Sequence, residues 1–522
     1  MQTLTPLEIE AREYQRAIAK SALEANTLVV LPTGLGKTIV ALLVATERLA
    51  AHPDSKVLVL APTRPLVLQH ARFFEKHYPD KDAKSAYLTG EVPPSTRTSD
   101  FGNSQLIFAT PEVIRNDVSA GRYDLSNISL VVFDEAHRCV RDYAYSDVAY
   151  AYKSQATKPL ILGLTASPSA KKTRVEEICE KLAIANVETR TESDPDVIGY
   201  VKDVEVRWER LPLPESYRKT AKVLRAALDV RLNKLRAMHQ LPANIKISKR
   251  MLLDLGERLH NNLRRGGSGA LYGAVLLQSQ AMSLTHAIDL LETQGAYSAS
   301  RFLSKLERAR TKSARGLARD TQVIEAQKLL GSIRTPHPKE AKLRELVSED
   351  LKANPHAKLI VFTQFRDTVE AISDDLNRVD GVSAVRFVGQ ASRSEEDLGL
   401  RQSEQMEILD DFRGGKYNVL VTTSIGEEGL HVPDVDHVIF YETVPSEIRM
   451  IQRRGRTGRT RPGKTTVLMT EGTIDEAYYW TSRRKEEQMH RYLASVKTKG
   501  VARTKKKSTL LDYLETPARA NA

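Results

Sequence analysis

The feature that most constrains the fold is a repeated alternation of short apolar runs with amphipathic stretches of helical period. In the first part of the chain the apolar runs are 27–31, 56–60, 105–109, 128–133 and 160–164. The same alternation returns from residue 336, with runs at 358–362, 383–388, 418–421, 437–441 and 465–469. Buried runs that alternate with helices are typical of parallel, doubly wound sheets. The pattern predicts an α/β protein with two such domains, which look like a divergent duplication.

The middle of the chain has a different pattern. Residues 211–335 show helical period, for example in 221–238 and 271–292, and no β-branched runs of strand length. We therefore expect four parts: an α/β domain at 1–205, a helical insert at 206–335, a second α/β domain at 336–495 and a disordered basic tail at 496–522.

The positive charge is concentrated in this insert. Residues 211–335 contain 22 Lys and Arg against 9 Asp and Glu, a net charge of +13, while the whole chain has +12. Such an excess favours a polyanionic partner, either nucleic acid or an acidic membrane surface. A merely solvated helical face is the alternative interpretation.

The cysteine content and the apolar segments indicate the cellular compartment in which the protein is expected. Two cysteines are too few for a disulfide framework or a Cys-based zinc site. The first twenty residues lack the apolar core of a signal peptide, and the apolar stretch 27–44 is interrupted by Pro32 and Lys37. We expect a cytoplasmic protein without a membrane partner.

A glycine-rich segment lies between the first apolar run and the amphipathic stretch 38–50, which is the context of a phosphate-binding loop. In such a loop the backbone amides cradle phosphates, the lysine reaches the β- and γ-phosphates, and the next hydroxyl can ligate Mg²⁺. A chance Gly-x-Gly-Lys-Thr is the alternative, which this context disfavours. The predicted ATP-binding residues are Leu31, Pro32, Thr33, Gly34, Leu35, Gly36, the catalytic Lys37 and the metal ligand Thr38.

The acidic sequence Asp134-Glu135-Ala136-His137 directly follows the apolar run 128–133. Ligands of open α/β sheets bind at the carboxyl ends of the strands, so these acids should face the phosphate-binding loop. Asp134 would hold Mg²⁺, and Glu135 would orient and deprotonate the attacking water. His137 is counted with them as a catalytic candidate. A plain acidic turn is the alternative.

The second α/β segment contains closely spaced arginines at 452–459. Arginines on a helix and turn can reach a γ-phosphate across a cleft. We expect Arg456 and Arg459 to act in this way, with Gln452 near the attacking water. A basic patch for the DNA backbone is the alternative.

These sequences, in this order, resemble superfamily 2 helicases of the DEAH-box type. Further segments are similar to the archaeal Hef helicases and their eukaryotic relatives, the Fanconi anaemia group M translocases: 61–66, 89–91, 109–112, 163–168, 284–295, 388–392, 426–430 and 475–480. The resemblance covers residues 8 to 495. It implies two RecA-like lobes with parallel sheets and an all-helical insert between them.

The resemblance also implies roles for single residues. Gln15 would hydrogen-bond the adenine of ATP, and Thr165 and Ser167 would couple hydrolysis to lobe movement. Contacts to the backbone of one nucleic-acid strand would come from Thr63, Arg64, Thr110, Gly389, Gln390 and Thr422. Such contacts carry no base information, as a tracking motor requires. Without the resemblance, a surface glutamine and hydroxyl caps at strand ends would be the simpler interpretations.

The charge of the insert predicts a further contact with nucleic acid. Six basic side chains are expected to face duplex phosphates near a junction: Arg264, Arg265, Arg308, Arg310, Lys312 and Arg315.

Two departures from the family pattern stand out. His431 occupies a position where these helicases usually have an aspartate that bonds the nucleotide sugar. Hef proteins often continue into a nuclease, whereas this chain ends at Ala522, so we expect any nuclease to be a separate partner. The tail also resembles a sliding-clamp-binding peptide, with Lys507 in place of its usual glutamine and an apolar group formed by Leu510, Tyr513 and Leu514.

The resemblance implies an ATP-dependent DNA helicase or translocase, associated with the nucleoid and acting on forked or four-way DNA in repair or stalled-fork processing. Two alternatives remain. One is a duplex-RNA-binding ATPase, because RNA-sensing helicases share a helical insert at this place. The other is an ATP-gated DNA-binding scaffold with little unwinding activity.

Overall fold

The computed structural model describes residues 9–140, 143–169, 171–192, 194–200, 204–245, 247–266, 269–390, 399–423, 434–443 and 463–499. The chain divides into two compact units. The first comprises residues 1–201 and 485–522, and the second comprises residues 202–484. Among the described residues, no helix is both long and apolar enough to cross a bilayer.

The first unit contains a seven-stranded parallel sheet in the order β3-β4-β2-β5-β6-β1-β7. The strands are β1 Thr27–Val30, β2 Lys56–Leu60, β3 Ser85–Leu88, β4 Leu106–Ala109, β5 Ile128–Phe133, β6 Ile161–Thr165 and β7 Asn186–Thr189. The helices are α1 Glu13–Glu24, α2 Lys37–Ala51, α3 Arg64–His77, α4 Pro94–Asn103, α5 Pro111–Ser119, α6 Ala144–Gln155 and α7 Lys172–Lys181. Short 3₁₀ turns lie at Ala136–Arg138 and Ile198–Tyr200.

The central strands of this sheet are buried on both faces. Every residue of β1, β4, β5 and β6 is buried, as a parallel sheet covered by helices requires. Helix α2 presents Val40, Leu43 and Val44 to the same core. The carboxyl ends of these strands consequently form one rigid edge, on which the loops after β1, β2, β4, β5 and β6 are placed.

The second unit contains a six-stranded parallel sheet in the order β10-β11-β9-β12-β13-β8. Its strands are β8 Val204–Leu211, β9 Leu359–Phe362, β10 Ala384–Phe387, β11 Val419–Thr422, β12 His437–Phe440 and β13 Gly463–Thr470. Its helices outside the insert are α14 Pro338–Ala353, α15 Arg366–Leu376, α16 Gln402–Gly414 and the first part of α17 Ile474–Lys499. The described part of the chain thus has the α/β fold with two parallel-sheet domains that the sequence predicts.

Strand β8 lies in an unexpected place. It pairs along its whole length with β13 at an edge of the second sheet. The predicted start of the insert at residue 206 therefore falls inside a strand of the second α/β domain. The sequence of β8 alternates charged residues such as Glu205 and Arg207 with apolar ones, because an edge strand keeps one side in water. The helical part begins four residues after β8, at Glu215.

The insert is all-helical in its described residues and lies between β8 and α14. Its helices are α8 Glu215–Ala237, α9 Lys249–Arg264, α10 Gly269–Thr293, α11 Ala296–Arg308, α12 Lys312–Ala318 and α13 Thr321–Ser332. Two apolar cores hold it together, one around Leu224 and Leu291 and the other around Leu235 and Leu255. Gly256 permits a close approach of α9 to α10, because a Cβ there would lie 2.7 Å from Gln278 Nε2.

A buried polar junction joins the end of α10 and the start of α14 to the second sheet. Lys339 is fully buried, and its Nζ lies 2.5 Å from Asp475 Oδ2 and donates to the Thr293 carbonyl at 3.1 Å. Gln294 Nε2 donates to Glu442 Oε2, also at 3.1 Å. Because each buried group has a polar partner, the insert and the second sheet are held in one arrangement.

Candidate ATP and nucleic-acid sites

The phosphate-binding loop connects β1 to α2. Gly34 and Gly36 adopt positive φ angles of 87° and 79°, which glycine adopts without steric cost. Gly36 is the N-cap of α2, and a Cβ there would lie 2.3 Å from Gln15 Nε2. Lys37 begins the helix, and its Nζ donates to the Leu31 carbonyl at 3.0 Å. The predicted loop residues therefore form a turn that exposes backbone amides at a helix N-terminus, the arrangement that binds phosphate.

Two side chains of helix α1 form hydrogen bonds with this loop. The side chains of Tyr14 and Gln15 both donate to the Leu35 carbonyl, at 2.8 and 3.0 Å. Gln15 is almost completely buried, and its Oε1 accepts from the Arg12 amide at 2.9 Å. Gln15 thus contacts the phosphate-binding loop directly, and its role in binding adenine stays a prediction. The sequence interpretation gave Tyr14 no role of its own.

Asp134 lies at the carboxyl end of β5, next to the loop. Its carboxylate Oδ2 is 2.8 Å from Nε2 of the buried His70 on α3. Burial acts to raise the pKa of this carboxyl, but the interactions with His70, the charge of Lys37 and a backbone hydrogen bond from Glu135 outweigh it, so the pKa is lowered. Asp134 is therefore an ionised acid inside the domain, as a magnesium ligand must be. His70 was not predicted.

Glu135 and His137 lie in the turn that follows. Glu135 has a φ of 49°, an uncommon conformation for a non-glycine residue. His137 Nδ1 lies 3.2 Å from both Glu135 Oε2 and Thr165 Oγ1. The Ser167 amide donates to the same Thr165 hydroxyl at 3.2 Å. The structure thus brings Thr165 into contact with the acidic turn, and Ser167 is linked to that turn through Thr165.

The predicted strand-contacting residues of the first unit lie at the same edge of its sheet. Thr63 and Thr110 are the N-cap residues of α3 and α5, which follow the neighbouring strands β2 and β4. Neither hydroxyl caps its helix. Arg64 forms an exposed ion pair with Glu91. These three residues are neighbours by position, and their contact with nucleic acid stays a prediction.

In the second unit, the corresponding residues follow β10 and β11, which are adjacent strands. Gly389 and Gln390 come after β10, and the Gly389 carbonyl accepts from Arg366 at 2.9 Å. Thr422 ends β11 and is fully buried, with its hydroxyl donating to the Thr423 carbonyl at 3.1 Å. The assignment of these residues to a nucleic-acid strand is likewise untested.

Several predicted residues lie outside the described part of the chain: Gln452, Arg456, Arg459, His431 and the tail residues Lys507, Leu510, Tyr513 and Leu514. Arg264 and Arg265 are described. They are exposed at the end of α9, and within the described ranges neither has an ion-pair partner.

Three family descriptions match consecutive parts of the chain. The DEAD/DEAH box helicase family matches residues 12–175, and the helicase conserved C-terminal domain matches residues 338–461. Between them, the family "Putative ATP-dependent RNA helicase, helical bundle" matches residues 216–334.

A solved structure decides the family. The crystal structure of the Pyrococcus furiosus Hef helicase domain is 44% identical, covers 90% of this chain and 98% of its own, and superimposes with a TM-score of 0.69. The chain belongs to the Hef/FANCM-like family of superfamily 2 helicases. Its domains are those of an ATP-dependent helicase, and the predicted resemblance is confirmed.

Relatives of this Hef-like chain have different names. A Methanocaldococcus jannaschii protein named "Putative ATP-dependent RNA helicase MJ1505" is 41% identical over 94% of the chain. The Neurospora crassa ATP-dependent DNA helicase mph1 is 32% identical over 90%, and the Mus musculus Fanconi anemia group M protein homolog is 31% identical over 91%. The chain spans 62%, 41% and 25% of these three proteins, so their whole activities do not transfer to it directly.

Proposed function

We propose that this Hef-like chain uses ATP hydrolysis to move along DNA and to remodel forked or four-way junctions in repair or at stalled forks. The observation that carries the proposal is that the ATP-site residues and the exposed cations lie in different units of the chain. An intact phosphate-binding loop and acidic turn lie in the first unit, while exposed cations without a carboxylate partner in the described ranges lie on the insert of the second.

The residues of the ATP site fit a complex of ATP with Mg²⁺. Mg²⁺ usually takes one or two protein oxygens together with substrate phosphates, and Thr38 and the ionised Asp134 supply oxygens of that kind. When bound, the metal neutralises charge that develops on the phosphates. Lys37 and the amides at the start of α2 bind the β- and γ-phosphates. Glu135 orients and deprotonates the attacking water.

Movement after hydrolysis begins at the contacts around the acidic turn. His137 touches both Glu135 and Thr165, and Ser167 bonds the same threonine. A change at the γ-phosphate that shifts Glu135 therefore reaches the segment after β6 through two short contacts. We propose that this segment couples hydrolysis to lobe movement.

The insert contains two sets of cations. One set has acidic partners: Arg231 pairs with Asp320, and Arg301 and Lys305 pair with Asp367. The other set is exposed and has no ion-pair partner in the described ranges, and it includes the six predicted side chains: Arg264, Arg265, Arg308, Arg310, Lys312 and Arg315. Structural cations are usually paired, whereas cations that bind phosphates remain accessible. The second set therefore supports a surface for duplex DNA.

The names of the relatives favour DNA over RNA. Mph1 of Neurospora crassa and Fancm of Drosophila melanogaster are named DNA helicases, and the Pyrococcus Hef helicase domain covers 90% of this chain. A duplex-RNA ATPase remains the second candidate, because the Methanocaldococcus relative is named an RNA helicase. As further parts of the proposal, a separate nuclease acts on the remodelled DNA, the tail binds a sliding clamp, and the protein works at the nucleoid.

A charge-reversal experiment tests the insert. In the variant, Arg308, Arg310, Lys312 and Arg315 become Glu. The control reverses four exposed lysines of the first unit that lie toward the amino ends of its strands, away from the edge where parallel sheets bind ligands: Lys20, Lys76, Lys84 and Lys153. Affinity for forked, four-way and single-stranded DNA is measured as a function of salt.

The insert variant should lose several-fold affinity for branched DNA. Its salt slope should also flatten, because each phosphate contact contributes ~0.9 to the slope on B-DNA. ATPase stimulated by saturating single-stranded DNA should stay near that of the unmodified chain. Equal losses in the variant and the lysine control would show a non-specific charge effect, and an unchanged affinity in a folded variant would make the insert structural.

A further inference from the structure

His70 is a buried histidine next to the metal-binding acid. It lies in the second turn of α3, is 3% exposed and places Nε2 2.8 Å from Asp134 Oδ2. Its Nδ1 is buried, and among the described residues it has no hydrogen-bond partner. A buried imidazole with one unsatisfied nitrogen costs stability, so filling space alone does not explain why a histidine is placed here.

The contact between His70 and Asp134 determines which histidine nitrogen carries the proton and how the carboxylate is oriented. An ionised carboxylate only accepts hydrogen bonds, so Nε2 must carry the proton and donate it to Oδ2. The backbone of Asp134 is held independently, since its amide donates to the Leu60 carbonyl at 2.9 Å and its carbonyl accepts from the Tyr145 hydroxyl at 2.6 Å. With the backbone held and Oδ2 engaged by His70, the rotation of the side chain is restricted, and His70 does not occupy the second oxygen, Oδ1.

We propose that His70 is a positioning residue that orients the Asp134 carboxylate toward the metal of the bound nucleotide. Hydrogen bonds to metal-binding carboxylates are a general means of orienting them, and their loss typically lowers metal affinity 10–100-fold. This proposal rests on the proposed metal role of Asp134. It goes beyond that role because His70 touches neither nucleotide nor metal.

The test separates metal affinity from nucleotide affinity. The Kd of a fluorescent non-hydrolysable ATP analogue is measured with Mg²⁺ and with EDTA, and the ratio of the two gives the contribution of the metal. The His70→Gln variant keeps a donor at the position of Nε2, while the shorter His70→Asn does not reach Oδ2. His77→Asn, on the same helix and packed against Phe73, is the matched control.

His70→Asn should reduce the metal contribution about 10–100-fold and leave the affinity in EDTA nearly unchanged. His70→Gln and His77→Asn should behave like the unmodified chain. Equal changes with Mg²⁺ and EDTA, or identical behaviour of the Asn and Gln variants at position 70, would show that His70 has a packing role only. Asp134→Asn completes the set: if it leaves the ratio unchanged, the metal assignment of Asp134 itself is wrong.

Discussion

Single charged residues set the chemistry of the ATP site and the acid–base behaviour of the second unit. Around Asp134, the interactions with His70 and with the charge of Lys37 outweigh burial and keep the acid ionised. Glu340 on α14 shows the opposite balance. Burial, with a smaller effect from Asp375, raises the pKa of its carboxyl to about 7. A buried carboxyl is thus ionised at one site and protonated up to about pH 7 at the other, because the partners of Asp134 outweigh its burial, whereas Arg344 does not outweigh that of Glu340.

Glu340 makes stability depend on pH. Its folded pKa lies above its unfolded value, so its favourable contribution is present below the unfolded pKa and is lost as the pH rises through 7. Glu340→Gln should therefore raise the denaturant midpoint of unfolding at pH 8 and change it much less at pH 5. Glu345→Gln, an exposed change on the same helix, is the control. An equal effect of Glu340→Gln at both pH values would contradict the raised pKa.

At the residue scale, the sequence predicts those site residues whose motif lies within a few consecutive positions of the chain. The loop around Gly34, Gly36 and Lys37 and the acids Asp134 and Glu135 could be identified because motif and context occupy a few consecutive positions. His70 and Tyr14 could not be predicted. Their contacts join helices to loops 64 and 21 residues away, and nothing in either local sequence marks the partner.

At the scale of secondary-structure elements, a strand can be predicted from the sequence when it is continuously buried. All ten predicted apolar runs correspond to strands of the two sheets. The three missed strands, β3, β7 and β8, each lie at an edge of a sheet. In β3 and β7 buried and partly buried residues alternate, and β8 carries several charges. These three edge strands therefore lack the continuous apolar run by which the central strands are recognised, whereas the edge strand β10 lies within a predicted run.

The junction between the insert and the second sheet depends on the buried pair of Lys339 and Asp475. Lys339→Met should destabilise the second unit by about 3–5 kcal/mol, because it leaves Asp475 charged and unpaired inside the protein. Lys416→Met, which breaks an exposed pair with Asp411, should change the stability far less, because water screens the pair. Thermal and denaturant unfolding measure both changes.

A double variant separates charge from packing at this junction. Lys339→Met combined with Asp475→Asn removes both charges, so most of the lost stability should return. If the double variant is as unstable as Lys339→Met alone, the loss comes from packing at Lys339, and the ion pair does not explain the rigidity of the junction.

At the scale of the whole molecule, the charge distribution separates two tasks. Outside residues 211–335 the chain is close to neutral, so its positive charge belongs to the insert, while the ATP-site motifs lie in the first unit. Composition could indicate a polyanionic partner and the motifs could indicate an ATPase. Neither could specify which nucleic acid is bound, because phosphates of DNA and RNA present the same charge to a basic surface.

The most direct test is the ATPase rate of the chain measured against single-stranded, duplex, forked and four-way DNA and against duplex RNA at one salt concentration. We predict that forked and four-way DNA stimulate hydrolysis at the lowest concentrations, and that Lys37→Ala abolishes the stimulated rate while DNA affinity without ATP stays nearly unchanged. Stimulation by duplex RNA that equals or exceeds that by branched DNA would contradict the proposed substrate. More than a few per cent of the stimulated rate in Lys37→Ala would contradict the assignment of the ATP site.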